Sequence, residues 1–331
     1  MRTEADEGSK DKTIEIPNLL VSASPHIRDT ITTREIMRDV AISLIPAGIA
    51  SVYFFGYRAL LVIVTCVLGS MLTEAVTRKI VKRPNTLSDG SALVTGLLLA
   101  YCLPPKCPYW ICVVGAASSI VLAKELYGGL GHNPFNPALV GRAILLAAWP
   151  TQMTTWMLPR AEWFGRLDGI TGATPLTALK LRGQATPFLD LFIGRVGGSL
   201  GETSALALLI GATYLLLRRI IDWRIPTSFI LTVFLFSAAL GGDPLFAILS
   251  GGVMLGAFFM ATDYVTSPIT PKGKIIFGLG CGAITILIRN FGGYPEGVCY
   301  AILLMNCTTS LIERYTQPKG YGIVPARRRS S

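Results

Sequence analysis

The sequence predicts an all-α integral membrane protein of about ten transmembrane helices. Three observations carry that prediction. Of 331 residues, 51% are hydrophobic and only 15% charged, against roughly 25% charged in soluble domains. Ten apolar stretches recur between short polar connections. The basic residues gather in alternate connections, as the positive-inside rule expects. The net charge of +10 therefore reports topology and not nucleic-acid binding, since the lysines and arginines do not share one polar face.

Residues 1–36 are polar and mixed in charge, with no apolar core ahead of a small-residue cleavage site. No signal peptide is expected, and the segment should stay in the mature protein. A first membrane half, residues 37–149, holds apolar stretches at 40–55, 59–75, 92–103, 109–123 and 138–149. A long connection follows at 150–203. The second half, residues 204–312, holds stretches at 204–217, 226–240, 245–260, 275–288 and 298–312, and a basic tail closes the chain at 313–331. Several stretches fall short of the roughly 20 residues that cross a bilayer. Short and interrupted helices are tolerated where protein or water covers the backbone.

With the N-terminus inside, the inner connections receive Arg78, Lys79, Lys82 and Arg83, then Arg218, Arg219 and Arg224, then Lys272 and Lys274. The short outer connections receive only Arg58, Lys106 and Arg289. Both termini are thus expected in the cytoplasm and residues 150–203 on the outer face. The basic residues of that long connection, Arg160, Arg166, Lys180, Arg182 and Arg195, run against the rule, which long loops report poorly. Five spans in each half would set the halves in opposite orientations. Asp89 and Asp243 each precede a small-residue-rich apolar run, which fits an inverted repeat and equally fits the general likeness of membrane helices.

Metal chemistry is not expected. The seven cysteines form no Cys-x-x-Cys pair and lie mostly in apolar runs, and His26 and His132 are the only histidines, so cluster, zinc and bis-histidine haem sites are disfavoured. Among the charged residues near the spans, Glu74 is expected to be solvated at the interface and Lys124 to pair with Glu125. Arg142, inside the fifth stretch, is costly in lipid and should face protein, water or an anionic group such as a flavin or a carboxylate, or else snorkel toward the inner surface. The Gly128 to Pro137 loop, with Asn133 and Asn136, reads as a turn or as a ligand site. Asp263 and Thr266, before Pro268, read as a helix end or as ligand contacts. The connection from Arg289 to Gly297 is placed to pack under the long outer loop.

Within that loop stands Asp168-Gly169-Ile170-Thr171-Gly172-Ala173-Thr174, followed by Pro175. It resembles the recognition sequence at which bacterial flavin transferases join FMN to a threonine hydroxyl through a phosphoester. On that resemblance Thr174 is the acceptor, Asp168 helps position the segment, and Gly169, Thr171, Gly172 and Ala173 complete the motif. Small residues suit a segment that must thread a second enzyme's site. The same residues also describe an ordinary turn. A tether would keep a cofactor on an outer loop from diffusing away.

Taken in order, Ser24-Pro25-His26, Ser88-Asp89-Gly90-Ser91-Ala92, the Gly128 to Pro137 loop, the flavin motif, Met260 to Pro268, and Phe291-Gly292-Gly293-Tyr294-Pro295-Glu296-Gly297 with Leu304-Met305-Asn306 resemble one family. It joins the D subunit of Rnf ion-translocating electron-transport complexes to the B subunit of the sodium-pumping NADH:quinone reductases, and the Phe291 to Gly297 ending favours the Rnf branch. The resemblance implies ten helices in two inverted halves, covalent FMN on an outer-face threonine, and a bacterial inner-membrane location. It further implies electron relay between ferredoxin and NAD coupled to Na⁺ or H⁺ movement. Other Rnf subunits and a flavin transferase are the implied partners. A second, noncovalent flavin (riboflavin) is a further candidate, with Asn133, Asn136, Arg142, Asp263 and Thr266 as its contacts. The competing class is a small-solute or ion channel or permease without redox chemistry, which glycine-rich interrupted helices also fit.

Overall fold

A computed structural model of the chain describes residues 31–159, 171–182, 186–293 and 296–318. Asp168 and Gly169 lie outside the described residues, as does most of both terminal segments. The described chain is a helical bundle with one two-residue strand pair.

Three helices are long and apolar enough to cross a membrane by length and composition: α1 (Thr33–Phe55), α2 (Tyr57–Ile80) and α13 (Pro271–Phe291). The protein is a multi-pass membrane protein. Between α2 and α13 run α3 (Ser91–Tyr101), α4 (Tyr109–Ile120), α5 (Pro137–Ala148), α6 (Pro150–Met153), α7 (Pro175–Arg182), α8 (Phe188–Ile193), α9 (Ala205–Leu217), α10 (Arg224–Ala239), α11 (Pro244–Leu249) and α12 (Val253–Leu255), and α14 (Val298–Thr316) closes the bundle. Each of the ten apolar stretches carries helix. The stretch at 245–260 is broken at Ser250-Gly251-Gly252, where both glycines have left-handed φ, 62° and 73°. That region is hard for residues with a Cβ. Wider π turns extend α4 through Val121–Glu125 and α12 through Gly256–Met260.

α2 packs on α3 and α4, and α10 packs on α11 and α13. The α1–α9 and α5–α14 contacts join these two sets. Close approach is built on small residues. A Cβ on Gly96 of α3 would fall 2.7 Å from Val67 Cα of α2, and one on Gly282 of α13 would fall 2.6 Å from Thr232 Cβ of α10. Small residues at crossings gain packing that apolar attraction alone does not supply in lipid. Leu61, Leu68 and Leu72 point outward and stay exposed, as suits contact with lipid or a neighbouring protein. Asp39, buried on α1, accepts from Arg218 at 2.8 and 3.2 Å and from the Tyr214 hydroxyl at 3.2 Å, which fixes α1 to α9.

Two expectations are corrected here. Glu74 is not solvated: its carboxylate is fully enclosed, with Lys124 Nζ at 3.0 Å and the Thr86 hydroxyl donating at 2.6 Å. Lys124 pairs with Glu74 and not with Glu125, which instead takes Arg78 at 3.1 Å. The π turn places consecutive Lys124 and Glu125 against α2, so each finds its counter-charge across the helix contact. Two positive and two negative charges are thus buried together, the arrangement that makes burial tolerable.

Candidate functional site

At one end of the bundle the chain after α6 forms β1 (Trp156–Met157), antiparallel to β2 (Thr171–Gly172), with Trp156 opposite Gly172 and Met157 opposite Thr171. A Cβ on Gly172 would lie 2.7 Å from the Leu158 side chain, which would have to move aside. Two residues later Thr174 caps α7. Its Oγ1 accepts the Thr177 amide at 3.2 Å and lies 2.8 Å from Thr177 Oγ1, while its carbonyl accepts the Ala178 amide at 2.8 Å. Pro175 follows at the first helical position, where the absent N–H costs nothing. Thr174 is 3% exposed. The acceptor expected on a polar loop is therefore a buried helix cap.

The same end carries a triad that joins three distant parts of the chain. Arg142 of α5 donates to Glu202 Oε1 at 2.9 Å and, on its other nitrogen, to Glu296 Oε2. Glu202 also takes the Ser199 hydroxyl at 2.9 Å. Arg142 thus meets carboxylates, one of the outcomes its sequence position left open. One guanidinium faces two carboxylates in a largely buried setting. Burial first, and then the Glu202 charge, push the Glu296 carboxyl up to about 7, with Arg142 and Arg289 drawing it back.

The break in the eighth apolar stretch supplies the neighbouring wall. Arg289 of α13 donates to the carbonyls of Ala247, Ser250 and Gly251 at 2.6, 2.8 and 2.9 Å. These are carbonyls that a helix end leaves without partners. The Glu202 carboxylate stands against Gly252 on the other side of the break, where a Cβ would fall 2.6 Å from Oε1. A cation therefore serves the carbonyl end of the break, the sign that its dipole favours.

Gly172, Ala173, Thr177, Trp156 and the triad border one cavity of about 320 Å³. Thr174 itself lines a second, about 20 Å³, together with Thr203, Glu202 and Glu296. The Thr203 hydroxyl there and Arg289 Nε are buried without a hydrogen-bond partner among the described residues. Of the Arg289 to Gly297 connection, Arg289 and Gly292 meet α7: Lys180 Nζ donates to their carbonyls at 3.2 and 2.7 Å.

At the opposite end Asn133, Asn136 and Asp263 share a cavity of about 80 Å³ with Lys124 and Ser91. Thr266 does not line it, though its hydroxyl donates to Asp263 Oδ2 at 3.1 Å. Arg142 belongs to the other end. Asn136 is occupied by structure: Oδ1 caps α5 through Ala138 and Leu139, and Nδ2 donates to the Met260 carbonyl at 3.2 Å. Asn133 Oδ1 is buried and has no hydrogen-bond partner among the described residues. Burial pushes the Asp263 carboxyl up, against the Thr266 hydroxyl and the Val265 amide.

Sequence reasoning missed Glu202 and Lys180 as site residues. Glu202 had a weak signal, a lone carboxylate in Gly201-Glu202-Thr203 at the edge of an apolar stretch. Lys180 had none beyond its breach of the positive-inside rule.

Comparison with known proteins agrees with this arrangement of motifs. The model of the NQR2, RnfD, RnfE family matches residues 20–322. The chain is 51% identical to the D subunit of the Na(+)-translocating ferredoxin:NAD(+) oxidoreductase complex of Acetobacterium woodii, over 94% of this chain and 98% of that one. It is 46% identical to the D subunit of the proton-translocating ferredoxin:NAD(+) oxidoreductase complex of Clostridium ljungdahlii, over 91% and 96%. It is 43% identical to the D subunit of the ion-translocating oxidoreductase complex of Stutzerimonas stutzeri, over 87% and 91%.

Proposed function

We propose a function from the premise that the chain belongs to the NQR2, RnfD, RnfE family. It is a membrane subunit of an ion-translocating electron-transport complex, part of a translocase and not an enzyme alone, and other subunits of that complex are its partners. In our reading it relays electrons between ferredoxin and NAD through FMN held covalently by Thr174. The relatives differ in the ion their names carry, sodium in one and protons in another, so the coupled ion is Na⁺ or H⁺.

The observation that supports the flavin reading is the cavity beside the motif. About 320 Å³ reaches the lower range of ligand pockets, roughly 300–1,000 Å³. Its walls combine apolar surface from Leu146, Met153 and Trp156 with the Arg142 guanidinium, and partnerless buried polar atoms stand close by. These residues fit a phosphorylated flavin: Thr174 would tether it, and Gly172, Ala173 and Thr177 would border it. Bound FMN supplies one- and two-electron transfer. The chain's part is to hold the site dry, to fix charge through Arg142, Glu202 and Glu296, and to limit its movement. The cavity of about 80 Å³ at Asn133, Asn136 and Asp263 is too small for a riboflavin ring as it stands.

We place the Thr174 end on the outer face of the bacterial inner membrane and both termini in the cytoplasm, from the basic residues of the short connections. The two halves are read as inverted repeats of five spans. That reading is supported by Asp243, which caps α11 by accepting from Leu245 and Phe246, and by Asp89, which stands one residue before the Gly90 cap of α3 and accepts from the Ser91 amide. Lys124 and Arg289, late in α4 and α13, reach back to the same two elements.

The test is a denaturing gel of protein co-expressed with a flavin transferase, viewed under ultraviolet light and followed by peptide mass analysis. A fluorescent band with an FMN-sized addition on Thr174, lost in Thr174→Val, is the expected result. A dark band, with the transferase active on another substrate, would overturn the covalent site and favour a permease.

A further inference from the structure

Thr174 is placed where a second enzyme does not reach it, and an inference that rests on the flavin reading follows. Its hydroxyl is engaged by Thr177 on the cap side, and the space beside it, about 20 Å³, has room for roughly one water molecule. Two contacts hold α7 in that position. Leu176 lies directly over the helix break, its Cδ1 only 2.2 Å from where a Cβ on Gly251 would be. Lys180 donates to the carbonyls of Arg289 and Gly292, which adds a cation at the C-terminal end of α13 where the helix dipole favours one.

We infer that FMN is transferred to Thr174 while residues 171–182 are undocked, and that Leu176 and Lys180 form the latch that afterwards buries the modified threonine. The chemistry demands the access. Thr174 Oγ1 attacks the pyrophosphate of a flavin dinucleotide supplied by the transferase. The Oγ1–P bond forms, the P–O–P bridge breaks, the nucleoside monophosphate leaves, and the hydroxyl proton passes to a base of the transferase. Attack requires phosphorus within about 3–3.5 Å of Oγ1 along an open line. In the docked state Thr177 engages the hydroxyl and about 20 Å³ lies beside it, too little for the phosphoryl group of a dinucleotide. Undocking exposes the hydroxyl, and redocking carries the attached group toward the larger cavity bordered by Gly172, Ala173 and Thr177.

The experiment uses full-length protein made in cells without a flavin transferase and reconstituted in lipid nanodiscs. Purified transferase and FAD are added, and the initial rate of covalent fluorescence is read on denaturing gels and mapped by peptide mass. Lys180→Ala and Leu176→Ala should each raise the rate roughly tenfold, the effect on a docking equilibrium of losing the charge-assisted hydrogen bonds of Lys180 or the contact of a partly buried leucine. Lys180→Arg, which keeps the cation, should stay near the parent rate. Hydrogen exchange across residues 171–182 should quicken in the two alanine variants alone. Equal or slower rates in those variants, with FMN on Thr174, would show that the transferase takes the docked segment and would overturn the latch while leaving the flavin reading intact. No FMN on Thr174 in any of the proteins would overturn both.

Discussion

Lys124 Nζ stands 3.0 Å from Glu74 Oε2, with 1% and 0% of the two side chains exposed. Removing one member leaves the other charge enclosed, a loss of about 3–5 kcal/mol. Arg78, 3.7 Å from Glu74, offsets part of that, so Lys124→Met should fall at the low end. Thermal melting in detergent should show Glu74→Gln/Lys124→Met more stable than Lys124→Met alone. Equal melting points would mean the pair is not coupled.

Burial and the Glu202 charge push the Glu296 carboxyl up from its ordinary 4.5 to about 7. A folded value above the unfolded one means the folded state binds the extra proton, so this group's contribution is fully present below pH 4.5 and lost as pH rises toward 7. Melting temperature of the parent should therefore drop across that window relative to Glu296→Gln. Parallel curves would remove Glu296 from the pH response.

Gly252 has φ of 73° and meets Glu202, whereas Gly241 has φ of 76° with nothing within 4 Å of an added Cβ. Gly241→Ala should cost only the left-handed strain, about 1–2 kcal/mol. Gly252→Ala should cost that and more, because Glu202 must leave Arg142. Comparing the two melting shifts isolates the contact, and identical shifts would show Glu202 yields freely.

Thr174→Val removes both the proposed acceptor and the cap of α7. Alongside the loss of covalent flavin, it should destabilise flavin-free protein by about 1 kcal/mol, and Thr174→Ser should restore the cap. Limited proteolysis at α7 reads this directly. Cleavage unchanged in Thr174→Val would show that α7 is held by Leu176 and Lys180 alone.

How far the sequence reaches is plain from particular residues. Asp243 ahead of an apolar run, and Asn136-Pro137 ahead of another, predict helix starts because capping is local. The breach at Gly251-Gly252 is foreshadowed by paired glycines. What is hidden is long-range. Arg142 and Glu296 are 154 positions apart, and no spacing rule links them. Lys124 and Glu125 look like a neighbouring pair until a π turn points both at α2. Thr174 reads as loop because its polarity is visible in the sequence, while its burial depends on Leu176 meeting a backbone 75 residues onward.

Asn136, the cap of α5, and Arg142 within it sit six positions apart, one at each cavity. A helix rises about 1.5 Å per residue, so roughly 9 Å of rigid rod separates the two chambers. Asn136 also grips the Met260 carbonyl, and Met260 lines the larger chamber. The span thus acts as a ruler pinned at both marks: the spacing between chambers is written in helical pitch, beyond the reach of loop length or loop sequence.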